Sequence, residues 1–154
     1  MSVLSLASGQ SVYRGYEYFK EQKVSQVEQV DEGIVSAKVA GSNGSHYDVM
    51  LDIAHPRKSK CNCPHAEGKR IICKHMVAAY FTVRPWEAKK YIEELESFWE
   101  EEEQRQEEQE EKLIRYVHSM KKSELQQALL QLLFEGPEWQ YDRFIEYNVE
   151  WNSK

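Results

Sequence analysis

The stretch CNCPHAEGKRIICKH, residues 61–75, holds all three cysteines of a 154-residue chain and ends on a histidine two places after the last of them. It contains two mirrored pairs, Cys61-x-Cys63 and Cys73-x-His75, with nine residues between them. A lone Cys-x-Cys has many origins. Four ligand-type residues paired this way supply three thiolates and one imidazole, a closed tetrahedral set suited to one structural Zn2+. On an extended segment residues i and i+2 point to the same side, so Cys61 and Cys63 can share one ion. In a helix the same spacing turns through about 200°, so Cys73 is expected just before a helix and His75 in its first turn. Gly68 suits the bend between the pairs. Two alternatives stand beside this reading. His65 has the spacing from Cys63 to replace a ligand, although a loop histidine behind Pro64 is the plainer view. A Cys–His pair can also be a nucleophile and its base, but no orienting acid or Gly-rich substrate loop accompanies it here. Four protein ligands leave no coordination position to activate water, so no catalytic residue is expected and the chain is not read as an enzyme.

Upstream, Val12, Tyr16, Phe19 and the stem of Lys23 recur with helical period, predicting a helix over 9–23. The period then becomes two. A strand is expected over 24–30, a turn at Asp31-Glu32-Gly33, and a second strand through Val35, Ala37 and Val39. Asn43-Gly44 suggests a two-residue hairpin whose central residues both take positive φ. The third strand is the clearest, with Tyr47, Val49, Leu51 and Ile53 facing a core and His46, Asp48, Met50 and Asp52 facing water. Pro56 ends it and a basic run leads into Cys61.

Downstream, 76–83 reads as a helix, and Pro85 stops it or starts the next. Ala88, Tyr91, Ile92, Leu95, Phe98 and Trp99 form one apolar stripe of an amphipathic helix. Residues 100–112 hold eight Glu, three Gln, one Arg and one Lys, with Glu101–Arg105 and Glu108–Lys112 at the spacing that supports a helix, so a solvated helix is expected, with a flexible acidic linker as the alternative. The apolar face resumes at Leu113, Ile114, Val117 and Met120. Ser123 and Gln126 then suggest a capping box for a Leu-rich helix that Gly136-Pro137 closes, with a last helix running to about Tyr147. The expected fold class is therefore α+β. An N-terminal helix, a small antiparallel meander and a zinc knuckle leading into a helix make one domain, 1–84, and 85–154 form an all-helical acidic extension.

Composition agrees with this division. The chain is 41% hydrophobic and 30% charged. It has no run approaching the roughly 20 apolar residues a membrane span needs, and its start lacks a basic, apolar leader. A cytoplasmic protein without membrane contact is expected, and there clustered cysteines are more often metal ligands than disulfides. The net charge of −6 conceals two halves: residues 1–90 carry 13 Lys and Arg against 9 Asp and Glu, and residues 91–154 carry 7 against 17. The basic half is the candidate for polyanion contact. Arg57, Lys58, Lys60, Lys69, Arg70 and Lys74 surround the knuckle against Glu67 alone, a formal +5. Zinc on three thiolates contributes −1, leaving about +4. These six are the candidate nucleic-acid contacts, with Tyr47 or Tyr80 as stacking partners.

Cys61-x-Cys63-x9-Cys73-x-His75, behind a helix and a strand meander, resembles the SWIM zinc finger of bacterial type, whose pattern is C-x-C-x(n)-C-x-H. RGYEYFKEQKV, residues 14–24, is similar to that family's opening helix, with Gln22 where a glycine is often found. KKSELQQALLQLLFEGPEW, residues 121–139, resembles the Leu-rich helix and Pro-Glu restart that follow such modules. The resemblance spans about 9–84. It implies a zinc-stabilised binding module that acts on DNA, RNA or protein partners, accessory to a DNA-processing machine such as a Swi/Snf-type translocase. No Gly-rich Lys-Ser/Thr phosphate loop is present, so a translocase is expected as a separate chain. The alternative is a regulatory subunit that binds a protein partner through its helical half.

Overall fold

Alternating small apolar residues build a four-stranded antiparallel meander in the computed structural model, which describes residues 2–150. The strands are β1 (Val24–Asp31), β2 (Ile34–Ala40), β3 (His46–Asp52) and the short β4 (Lys60–Cys61), hydrogen-bonded in that order. Val35, Ala37 and Val39 of β2 and Val49 and Leu51 of β3 are buried. They face α3 (Lys74–Val83), in which His75 to Phe81 are all buried, and α2 (Gly9–Lys20), which contributes Val12, Gly15 and Tyr18. A short α1 (Val3–Leu6) precedes them. A helix buried this completely is the centre of the domain, and β-branched residues suit the sheet that covers it.

Two backbone positions set how α2 enters. A Cβ on Gly15 would lie 2.5 Å from Val77 Cβ, so only glycine permits α2 and α3 to approach this closely. The helix stops at Lys20 instead of reaching Lys23, because Gln22 takes φ +54° and Lys23 N–H donates to Tyr18 O at 3.0 Å. The left-handed turn that a glycine would make at position 22 is thus made by glutamine. The Asn43-Gly44 loop also departs from expectation. Only Gly44 has positive φ, and five residues separate the Ala40–His46 pair, since Asn43 Oδ1 accepts Ser45 N–H at 3.3 Å and bends the chain locally. β1 carries a bulge at Gln26, φ +49°, and exposes Val27 and Val30 at the sheet edge.

α4 runs unbroken from Pro85 to Ser119. Ala88 is buried and Tyr91 stacks with Phe81 at 5.8 Å, alongside Tyr16 and Phe19, so the start of α4 belongs to the first domain's core. The chain divides into two compact units within this helix, one ending at Ser97 and the next beginning at Phe98. The Glu-rich segment is helical, held along its surface by Glu108–Lys112 at 3.6 Å and Glu111–Arg115 at 2.6 Å. Arg105 pairs with Glu102, one residue nearer than the expected Glu101.

In the second unit α5 covers Lys122–Glu135 and α6 Glu138–Phe144, with a π-helical turn over Ile145–Glu150. α5 begins earlier than the Ser123 box implied, because Glu124 Oε2 accepts the N–H of Lys121 at 2.7 Å and closes the helix start there. Gly136 ends it as expected. Among the described residues no helix is long and apolar enough to cross a membrane.

Candidate metal centre

Each half of the donor set is delivered by a different device. Cys61 sits on β4 opposite Val49, and Asn62 Oδ1 accepts Asp48 N–H at 2.8 Å, so the side chain extends the strand pairing by one step. The loop from β3 to β4 is organised by Asp52, expected on the wet face but buried. Its N–H donates to Ser59 Oγ at 3.0 Å, and its Oδ1 accepts His55 N–H at 2.6 Å, bringing Lys60 and Cys61 back beside β3. After Cys63 the chain turns tightly, with Ala66 and Glu67 N–H donating to Cys63 O, and Gly68 at φ +71° makes the anticipated bend. Cys73 is the N-cap of α3 at φ −94°, ψ 168°, and His75 lies in the first turn. The i, i+2 geometry requires that placement.

The four donor atoms lie within 4.8 Å of one another. His75 Nδ1 is 3.8 Å from Cys61 Sγ and 3.9 Å from Cys73 Sγ. Tetrahedral Zn2+ with its usual bond lengths spaces such donors by about 3.6 to 3.8 Å, so the set needs only a slight contraction to hold the ion. Exposure is 5% for Cys61, 2% for Cys63, 1% for Cys73 and 4% for His75. Burial of this kind marks a closed structural site, and it leaves no thiol open to a substrate.

The surroundings favour thiolates. Backbone N–H groups of Cys63, Ala66 and Met76 face the sulfurs of Cys61, Cys63 and Cys73 in turn. Without a cation the sulfurs compete for protons. A hydrogen bond from Cys61 holds the Cys73 thiol down to about 4, with His75 and the Met76 N–H helping against burial. That same contact with Cys73, together with burial, pushes Cys61 up. Burial first, then the charge on Cys73, raises Cys63. A divalent ion ends this competition by deprotonating all three.

His65 is exposed and lies outside the donor cluster. Of the six cations expected at the knuckle, Arg57, Lys58, Lys60, Lys69 and Arg70 line one groove of ≈ 870 Å3 with Glu67. Lys74 does not join them. Its ammonium lies 4.5 Å from the Tyr18 ring, and it walls a separate cavity with Arg14, which the sequence reading missed. Helical spacing puts Arg14 one turn before Tyr18, but only the packing of α2 on α3 brings it beside Lys74. Among the described residues none of these seven cations is in an ion pair. The aromatic expectations are corrected. Tyr80 is 3% exposed and belongs to the core, because α3 is buried on every side. Tyr47 stacks on the His75 ring at 4.5 Å and so supports the ligand.

The family model of the SWIM zinc finger matches residues 47–84, from β3 through the donor set to the end of α3. No curated protein and no solved structure matches the chain. The chain therefore carries a SWIM zinc finger over residues 47–84, a zinc-binding module in which Cys61, Cys63, Cys73 and His75 make a donor set that fits one structural Zn2+.

Proposed function

We propose that this zinc module holds the phosphate backbone of DNA or RNA in the groove walled by Arg57, Lys58, Lys60, Lys69 and Arg70. The observation that carries the reading is their convergence: five unpaired cations and one glutamate share a single concavity, and a metal on Cys61, Cys63 and Cys73 would fix both ends of the loop that carries Glu67, Lys69 and Arg70. Charge spaced along a groove grips phosphates without reading bases. The three thiols, buried and free of disulfides, suit the reducing cytoplasm expected from the sequence.

The test is binding of the zinc-loaded chain to an oligonucleotide at several salt concentrations. Each neutralised phosphate contributes about −0.7 for single strands or −0.9 for duplex to the slope of log affinity on log salt. Five contacts predict a slope of about −3.5 to −4.5, and Lys69→Ala with Arg70→Ala should flatten it by roughly 1.4 to 1.8. A slope near zero sinks the reading.

A second reading, docking of a protein partner, rests on the second unit. Leu113, Leu132, Phe134 and Trp139 are exposed there, and Leu133 is its one buried side chain among the described residues. Exposed apolar faces of this kind mark interaction surfaces, and the glutamates beside them on α4 suit a basic amphipathic partner helix, such as one presented by a translocase.

A further inference from the structure

The part of α4 that belongs to the second unit, residues 98–119, carries Phe98, Trp99, Leu113 and Tyr116, each at least half exposed. Around the helix, Trp99, Gln106 and Leu113 recur every seven residues, with Glu102, Gln109 and Tyr116 three places after each, the spacing of a coiled-coil seam. Of the eight glutamates in 100–111, seven lie off this seam. The eighth, Glu102, is neutralised by its pair with Arg105. The seam therefore carries no net charge, and its two ends are apolar.

Along the helix the charge is divided. Residues 100–111 hold eight Glu and Arg105, a formal −7, whereas residues 112–122 hold Lys112, Arg115, Lys121 and Lys122 with no carboxylate, a formal +4. Glu108–Lys112 and Glu111–Arg115 join the two segments where they meet. Farther out, Glu100, Glu101, Glu103, Lys121 and Lys122 are in no ion pair among the described residues.

A second copy of this chain supplies what each segment lacks. Two parallel copies of α4 would stack glutamates on glutamates, but two antiparallel copies set the basic segment of each against the acidic segment of the other. Centred between Glu107 and Glu108, such a pair lays Trp99 on Tyr116 of the second copy and Gln106 on its Gln109. The glutamine amides bond one another there, a polar layer that fixes register at a cost in stability. Two-fold symmetry makes each of these contacts twice.

We propose that the exposed seam of α4 is a dimerisation surface, occupied by α4 of a second copy running antiparallel. It rests on neither reading above: the basic groove lies in the first unit, and Leu132, Phe134 and Trp139 take no part.

The experiment is sedimentation equilibrium of the zinc-loaded full chain. A species of twice the chain mass is expected, with a dissociation constant on the order of 10 µM, since polar seam layers weaken the pair. Trp99→Ala should weaken it about tenfold. Glu100→Lys with Glu101→Lys and Glu103→Lys should leave a monomer, and so should Lys112→Glu with Arg115→Glu. Mixing these two variants should restore the dimer, because the reversed charges match again. Helical circular dichroism checks each fold, and Lys112→Gln with Arg115→Gln replaces the second variant should that lose helix. A nitroxide on Ser119→Cys reads the direction: antiparallel helices hold the two labels roughly 35 Å apart, and parallel ones bring them within about 20 Å. A chain still monomeric at about 200 µM overturns the proposal, as does a mixture of folded variants that stays monomeric. A dimer that survives both reversals and is lost in Leu132→Glu runs through α5 and overturns it too, and labels within about 20 Å overturn the antiparallel pairing. The salt slope of the groove is measured separately, so either reading can fail without the other.

Discussion

α3 buries seven consecutive residues, His75 to Phe81, whereas α5, with a richer run of leucines, buries Leu133 alone. Both helices are apolar enough to be core. What separates them is what surrounds each: α3 meets the sheet on one side and α2 on another, and its N-cap and first turn carry one metal ligand each. Among its described residues the second unit has helices but no second layer to cover them. A hydrophobic sequence is thus a capacity for burial, and the tertiary partners determine whether it is used.

The comparison breaks most readily at the metal. Chelating the zinc, or Cys73→Ser, should unfold the first unit, since structural zinc contributes on the order of 10 kcal/mol to small modules of this type. The helical circular dichroism of α4 to α6 should largely persist. Sharp NMR signals from Val39, Leu51 and Phe81 after exhaustive chelation would defeat the claim that metal and core form one cooperative unit.

A paired substitution sharpens it. Phe81 is 0% exposed and Phe134 is 70% exposed. Phe81→Ala should cost about 3 to 5 kcal/mol in denaturant unfolding, and Phe134→Ala within about 0.5 kcal/mol. Equal losses would mean that the second unit has a core of its own in solution.

Backbone positions give smaller effects. Gly15→Ala should cost about 1 to 3 kcal/mol, because its methyl meets Val77 at 2.5 Å and α2 must move away from α3. Gln22→Gly should stabilise by roughly 0.5 to 1 kcal/mol, the left-handed strain at φ +54° being offset in part by the freer unfolded chain. A loss at position 22 would show that the glutamine side chain makes a contribution beyond the turn.

Much of the module was legible along the chain. The mirrored Cys and His pairs, the alternation through Tyr47, Val49 and Leu51, and the bend at Gly68 are local patterns whose meaning depends on spacing of two or on one torsion angle. The misreadings share a different cause. Asp52 alternates as a surface residue, but a loop folds over it and uses both its N–H and its carboxylate. Tyr80 has the form of a stacking residue, but α3 has no exposed side on which to present it. Helix α2 ends three residues early because a turn at Gln22, invisible to hydrophobic period, captures its last carbonyls.

By itself the sequence determined the donor set, its metal, the meander and the helical second half, since ligand chemistry and side-chain periodicity act between residues near one another in the chain. Only the tertiary structure decided which cations meet. It gathered Arg57 to Arg70 into one groove and set Lys74 in one cavity with Arg14, sixty residues earlier in the chain. Periodicity tells which side of an element is apolar; packing alone tells which other element stands against it.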